Sequence, residues 1–423
     1  MLPKVEAQHA LLQAHTNFNT GDAMTQRVPR RIGLYLALVQ FLFTLTWTIY
    51  VIFLPKLAAQ AGIPKHAVVY ILLLDQLVFV IMDYATGLMA DRVSRVIGKL
   101  GRWILGVTLA SCVAFLLLPF AAPQGAAWLF ILLTVLWTIS SSALRAPPLV
   151  LVGRYAAKPE VPWLSALSLF GLGVAGAIAP YLTLVLRDTD PRLPFVLSSI
   201  VLALATFGII WAERSLAKSG VEVEAAAPAT PTTPWMMCFL FAVLLLGLGF
   251  QIHFSLNSAA LYLRHAKPDQ LPYLMPMFWI GFNVIMLPAS IATRRYGGLK
   301  VTAVGALIAA LASFSAYGAS DLNSLLAMQF VAGGGWGCVL MSAVSAALAI
   351  GHTGREGKMT GALFSLLALA AFARIAVLAA ELNKDPAVAA LLGWVPTLVW
   401  AVGGVLLLML LPKQRKPAAA ATA

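Results

Sequence analysis

The sequence predicts an all-α membrane protein with twelve transmembrane helices in two six-helix pseudo-repeats. Three observations predict it. The 423 residues are 61% hydrophobic and only 11% charged, whereas soluble domains carry about 25% charged residues. So little charge cannot solvate a body of this size, which excludes a water-soluble enzyme and a disordered chain alike. Twelve apolar runs each approach or exceed the roughly 20 residues a span requires. Landmarks also recur at a nearly constant offset: Arg92 after the second run answers Arg294 after the eighth, and Gly153-Arg154 answers Gly354-Arg355.

Inside a bilayer every backbone N–H and C=O needs an internal partner, so the runs are helices rather than strands. The first, 33–58, follows Arg30-Arg31, and the second, 66–90, lies between Lys65 and Asp91-Arg92. The third, 101–121, starts at Arg102 and stops before Pro123; the fourth, 127–152, ends at Gly153-Arg154. The fifth, 162–186, runs from Pro162 to Arg187, and the sixth, 194–212, from Pro194 to Glu213. A polar, Pro- and Ala-rich stretch then reads as a linker over 214–234 between the halves 32–213 and 235–411. The seventh, 235–262, opens at Trp235, and the eighth, 271–293, stops at Arg294-Arg295. The ninth, 299–318, and tenth, 322–351, are set off by Gly297-Gly298, Asp321 and Gly351. The eleventh, 357–380, lies between Arg355-Glu356 and Glu381, and the twelfth, 388–411, begins past Asp385-Pro386.

The net charge of +13 reflects flanking residues rather than a nucleic-acid surface. Twenty of the 29 Lys and Arg side chains fall on the side that holds both termini, and seven on the other. The positive-inside rule then puts segments 1–31 and 412–423 and the linker in the cytoplasm. Trp103, Trp128, Trp163, Trp211, Trp235 and Trp394 sit at span ends, as an aromatic belt does. The polar N-terminal segment has no early apolar region, so the first run is expected to be an uncleaved helix. Cys112, Cys238 and Cys338 show no disulfide or metal spacing. No phosphate-binding Gly-Lys loop is present, which argues against an ATP-driven pump. No cofactor and no metal are expected.

The second span ends in Asp83-Tyr-Ala-Thr-Gly87-Leu-Met-Ala-Asp91-Arg92-Val-Ser94-Arg95. This resembles the loop motif of the major facilitator superfamily, and with twelve spans and a central linker the resemblance covers the chain beyond residue 30. Gly87 permits close helix approach, while Asp91 at a helix end can pair with Arg and cap a helix of the other half. The resemblance implies a conformational latch of Gly87, Asp91, Arg92 and Arg95; Ser94 stands where the motif usually has a second Gly. Asp83 four residues before Gly87, with Gly101-Arg102-Trp103 beyond, is similar to the glycoside–pentoside–hexuronide cation symporters. The often acidic position four earlier is Phe79, and the fourth span has no acid, so a proton fits better than sodium.

Asp75 and Asp83 are the acids well inside spans. Intramembrane charges tend to be paired and functional, and eight residues place them about 80° apart on a helix. The expectation is that Asp83 carries the coupling proton or braces the latch, with Asp75 and His253 as further proton-coupling candidates. Arg374 lies at the outer depth of Asp75, and the resemblance implies that the second and eleventh helices face each other. An Asp75–Arg374 outer gate is therefore expected, with separate partners as the alternative.

Polar stripes mark the helices that the resemblance places around a central cavity. They are Gln40, Thr44 and Trp47; Trp137, Ser141 and Arg145; His253 and Asn257; and Gln329 and Trp336. Arg145 can meet an anionic substrate or Asp83, or it can snorkel to the cytoplasmic surface. The expected function is secondary transport of a small organic solute across the cytoplasmic membrane by alternating access, as inward proton symport by a monomer embedded in lipid. The alternatives are efflux of amphipathic compounds and a non-transporting sensor or assembly factor.

Overall fold

The computed structural model describes residues 30–218, 233–352 and 354–411. Twelve helices are long and apolar enough to cross a membrane. They are α1 (Arg30–Gln60), α2 (Lys65–Val93), α3 (Lys99–Gln124), α4 (Ala127–Tyr155), α5 (Lys158–Leu186) and α6 (Arg192–Ala217) in the first half. The second half holds α7 (Pro234–Tyr262), α8 (Pro268–Tyr296), α9 (Gly298–Tyr317), α10 (Leu322–Ile350), α11 (Glu356–Ala379) and α12 (Pro386–Leu410). The described residues contain no strand. Arg30 and Leu410 lie at one face, the terminal face; the opposite one is the far face.

Within the first half α1 packs on α5 and α6, and α3 on α4 and α6. The second half mirrors this: α7 packs on α11 and α12, and α9 on α10 and α12. Two pairs form most of the contact between the halves, α2 with α11 and α5 with α8. Glycine sets the closest approaches. A Cβ on Gly281 of α8 would overlap the Phe330 carbonyl, and one on Gly333 of α10 the Phe278 carbonyl. The backbones of α8 and α10 therefore touch, the small-residue packing that holds membrane helices together. α10 is the most enclosed span, with 89% of its apolar stretch buried.

Helix ends are satisfied locally. Asp321 Oδ1 accepts from the Ser324 N–H at 2.9 Å ahead of α10, and the Ser324 hydroxyl and N–H hold the Asp321 carboxyl below its usual range. Asp385 Oδ1 accepts from the N–H groups of Ala387 and Val388 ahead of α12.

Glu213 departs from the sequence reading, which made it the edge of a linker. α6 runs on to Ala217, and the Glu213 carboxylate is fully buried, accepting from the N–H groups of Gly98 at 3.0 Å and Gly101 at 2.9 Å. It caps α3, and the left-handed residue of that turn is Gly98 (φ 82°) rather than Ser94. Segments 1–29, 219–232 and 412–423, which hold the sequence-defined tails and most of the linker, lie outside the described residues. Glu213→Ala would leave two buried donors unmatched at about 1–3 kcal/mol each. The expected result is a lower unfolding temperature in detergent, read by thermal shift, while Glu213→Gln loses less.

Candidate functional site

At the terminal face α2 and α11 touch backbone to backbone. A Cβ on Gly87 would overlap the Gly357 carbonyl, and Gly361 packs against the Asp83 carbonyl. Asp91 Oδ1 accepts from the Gly357 N–H at 2.6 Å and Oδ2 from the Lys358 N–H at 2.7 Å. The carboxylate thus sits on the positive end of α11. Arg92 and Arg95 are exposed on the terminal face. Arg154 instead approaches the cluster, 3.8 Å from the buried Glu356. Sequence reasoning missed Glu356 because Arg355-Glu356 reads equally well as a solvated span boundary.

Away from this contact α2 and α11 part around a cavity of about 470 Å³ between the halves. Its wall reaches Leu72 and Ile375, near the far ends of the two helices. Gln40, Thr44, Trp47, Arg145 and Trp336 line it, as the polar stripes suggested. Trp137, Ser141, His253, Asn257 and Gln329 do not. Trp137 stacks behind Trp47 with ring centroids 5.7 Å apart. The Ser141 hydroxyl turns back to the Thr138 carbonyl, and the Asn257 amide donates to the Leu392 carbonyl at 2.9 Å. His253 is shut inside the second half: Nε2 lies 3.1 Å from Gln329 Oε1, and Nδ1 3.1 Å from the Ser313 hydroxyl. His253 lies two residues, about 200° of helix, from the cavity-lining Gln251, and a π-turn over His253–Asn257 rotates the face that follows it. Gln76, Phe250, Gln251, Phe254 and Trp279 also line the cavity and went unseen in the sequence. Of these, the Phe250–Phe254 pair one turn apart was the visible signal.

Arg145 does not snorkel. α4 is broken at 142–146 because Pro147 and Pro148 supply no N–H to the preceding turn. The break aims the guanidinium inward, with Nη1 3.0 Å from Asp83 Oδ2 and Cζ 4.4 Å above the Phe79 ring. Asp83 is wholly buried and has no aligned hydrogen bond, so this ion pair is its principal tie. Arg145 stands between it and the cavity.

The expected Asp75–Arg374 pair is not formed. Asp75 points into the first half, where it accepts from the Tyr50 hydroxyl at 2.7 Å and the Thr138 hydroxyl at 2.9 Å. Arg374 lines the cavity and donates from Nε to Gln251 Oε1 at 3.0 Å. Two hydroxyls satisfy the carboxylate without crossing the interface. Asp75→Asn and Arg374→Gln are thus expected to show additive effects on stability and flux in a double-mutant cycle. A coupling above about 1 kcal/mol would mean that the two meet in another conformation.

Among curated proteins no relative matches the chain. Solved structures do. The human organic anion transporter superposes with TM-score 0.67 at 15% identity, covering 90% of this chain and all of that one. The fucose:proton symporter of E. coli gives 0.67 at 12% identity over 91% of this chain and 99% of that one. A bacterial homologue of the iron transporter ferroportin, outward-facing, gives 0.68 at 14% identity over 90% and 99%. At such identities these likenesses establish the fold. The sequence profile of the Major Facilitator Superfamily matches residues 36–373. Twelve membrane-capable helices, the two inter-half contacts and this match agree: the chain is a multi-pass membrane protein that belongs to the Major Facilitator Superfamily, a family of carriers rather than enzymes.

Proposed function

We propose that the protein moves a small organic solute by proton-coupled symport, using alternating access around the central cavity. The observation that carries this reading is the Asp83–Arg145 pair. It joins a buried carboxylate to a cation that faces the cavity. A proton arriving at Asp83 removes its charge and releases Arg145 at the cavity wall, so proton binding is felt where the solute sits. Asp91 with Gly87 serves as the latch that shuts the terminal face. The basic-residue bias puts that face, both termini and the linker in the cytoplasm of a cytoplasmic-membrane protein. The closed terminal face and the cavity wall reaching toward the far side then correspond to an outward-facing arrangement.

Proteoliposomes loaded with a metabolite mixture test the coupling: an inward pH gradient is expected to drive accumulation of at least one solute. No gradient-dependent flux in either direction would sink the transport reading. Efflux is the second reading, favoured by the aromatic walls of the cavity, and it predicts solute leaving as protons enter. Maleimide labelling of Ala225→Cys, in the segment outside the described residues, tests the topology. Labelling is expected only after the cytoplasmic side is exposed; labelling of intact cells would reverse it.

A further inference from the structure

The cavity carries an imbalance of charge. Two guanidiniums line it, those of Arg145 and Arg374, and no carboxylate does. Arg145 is neutralised from behind by Asp83 at 3.0 Å. Arg374 is not neutralised: among the described residues its hydrogen-bond partner is the uncharged Gln251 amide, taken at Nε. Among the described residues the two terminal nitrogens of its fork have no acceptor. A partly buried guanidinium without a counter-ion is costly unless a ligand supplies the charge. The rest of the wall is mainly apolar, with the rings of Phe250, Phe254, Trp279 and Trp336 on the side of the second half. Phe250 and Trp336 stack with centroids 4.5 Å apart, which makes a flat apolar surface.

We propose that the cavity selects an organic monoanion, a carboxylate on an apolar or aromatic body, with Arg374 as its anchor. The planar fork offers two parallel N–H donors to a carboxylate. While Asp83 is ionised, Arg374 is the one cavity-lining charge without a counter-ion among the described residues, which matches one negative charge on the solute, and the stacked rings take the apolar remainder. An organic cation would face the same guanidinium unscreened. A volume of about 470 Å³ sits within the range of small-molecule sites, roughly 300–1,000 Å³. This rests on the reading of the cavity as the transport site and names the class of solute it takes. It also bears on coupling: a monoanion at Arg374 and a proton at Asp83 enter together with no net change in charge.

The test is equilibrium binding to the purified full chain in detergent, followed by the fluorescence of the cavity tryptophans and by calorimetry. The probes are matched pairs: hexanoate, cyclohexanecarboxylate, 3-phenylpropionate and 4-phenylbutyrate, each against its own primary amide. At least one acid is expected to bind about tenfold or more tightly than its amide. That preference is expected to vanish in Arg374→Gln and to survive, weakened, in Arg374→Lys, which keeps the charge and loses the fork. The inference is overturned if every acid binds no better than its amide. It is overturned equally if the preference persists in Arg374→Gln. The comparison within the wild type does not depend on a variant folding. Flux in proteoliposomes separates the two claims: charge-selective binding without transport refutes the transporter reading alone. Transport that is indifferent to acid and amide refutes the anion site alone.

Discussion

Asp83→Asn is expected to abolish uphill accumulation while leaving solute exchange intact. Asparagine keeps the size of the side chain and removes the proton site. With one proton per solute, a wild-type carrier can concentrate its solute by about tenfold per pH unit of gradient. The variant should equilibrate at a ratio of about one. Removing one partner of a buried ion pair costs about 3–5 kcal/mol when the other charge is trapped. Here Arg145 is 18% exposed and opens to the cavity, so water can solvate it and the variant is expected to fold. Arg145→Gln is the harsher change, because the orphaned charge is the sealed carboxylate of Asp83. With its counter-ion gone, coupling through Asp83 should be lost there too. Counterflow and accumulation, measured on the same proteoliposomes, separate coupling from folding. Normal accumulation by Asp83→Asn would reduce Asp83 to a brace.

The second large effect belongs to Asp91. Its two carboxylate oxygens each accept a backbone N–H at the start of α11, and bonds to charged groups are worth about 1.5–3 kcal/mol each. In the proposed latch they exist only while the terminal face is shut, so their loss is expected to act on the conformational equilibrium rather than on folding. Asp91→Ala loses both bonds and should weaken closure by about 3 kcal/mol or more, a shift of roughly a hundredfold or more in population. Asp91→Asn keeps one acceptor and should lie between. Ser345, 6% exposed, lines a recess at the terminal face. A cysteine there, with Cys112, Cys238 and Cys338 replaced, should react faster with maleimide when Asp91 is changed. Transport should fall in parallel. Unchanged labelling and turnover would remove the latch role.

The fold was legible because a bilayer turns composition into geometry: each apolar run between charges or prolines had to be a spanning helix. The site was legible in part. α1 offered Gln40, Thr44 and Trp47 on one face, and an unbroken helix keeps such a face together. α4 and α7 are not regular, and the stripes drawn on them failed there. The Pro147-Pro148 break rotated Arg145 inward to Asp83, His253 fell opposite the cavity-lining Gln251, and the π-turn at His253–Asn257 rotated the face beyond it. Asp75 illustrates a different limit. Its position eight residues from Asp83 allowed either face, and the hydroxyls of Tyr50 and Thr138 decided between them. Those residues are distant in sequence. Glu213 and Glu356 were missed because a buried carboxylate at a helix end looks, in sequence, like a solvated boundary.

The central claim is that protonation of Asp83 shifts the balance between the two faces, and it can be tested before any solute is known. Spin labels at Gln60→Cys and Lys267→Cys, both exposed at the far face, report the opening between the halves in a background without native cysteines. Pulsed distance measurements across a pH series should show two populations that exchange weight in the wild type. In Asp83→Asn, which mimics the protonated acid, the low-pH distribution should persist at every pH. A distribution that ignores pH in the wild type, or a pH response that survives in Asp83→Asn, would contradict the account.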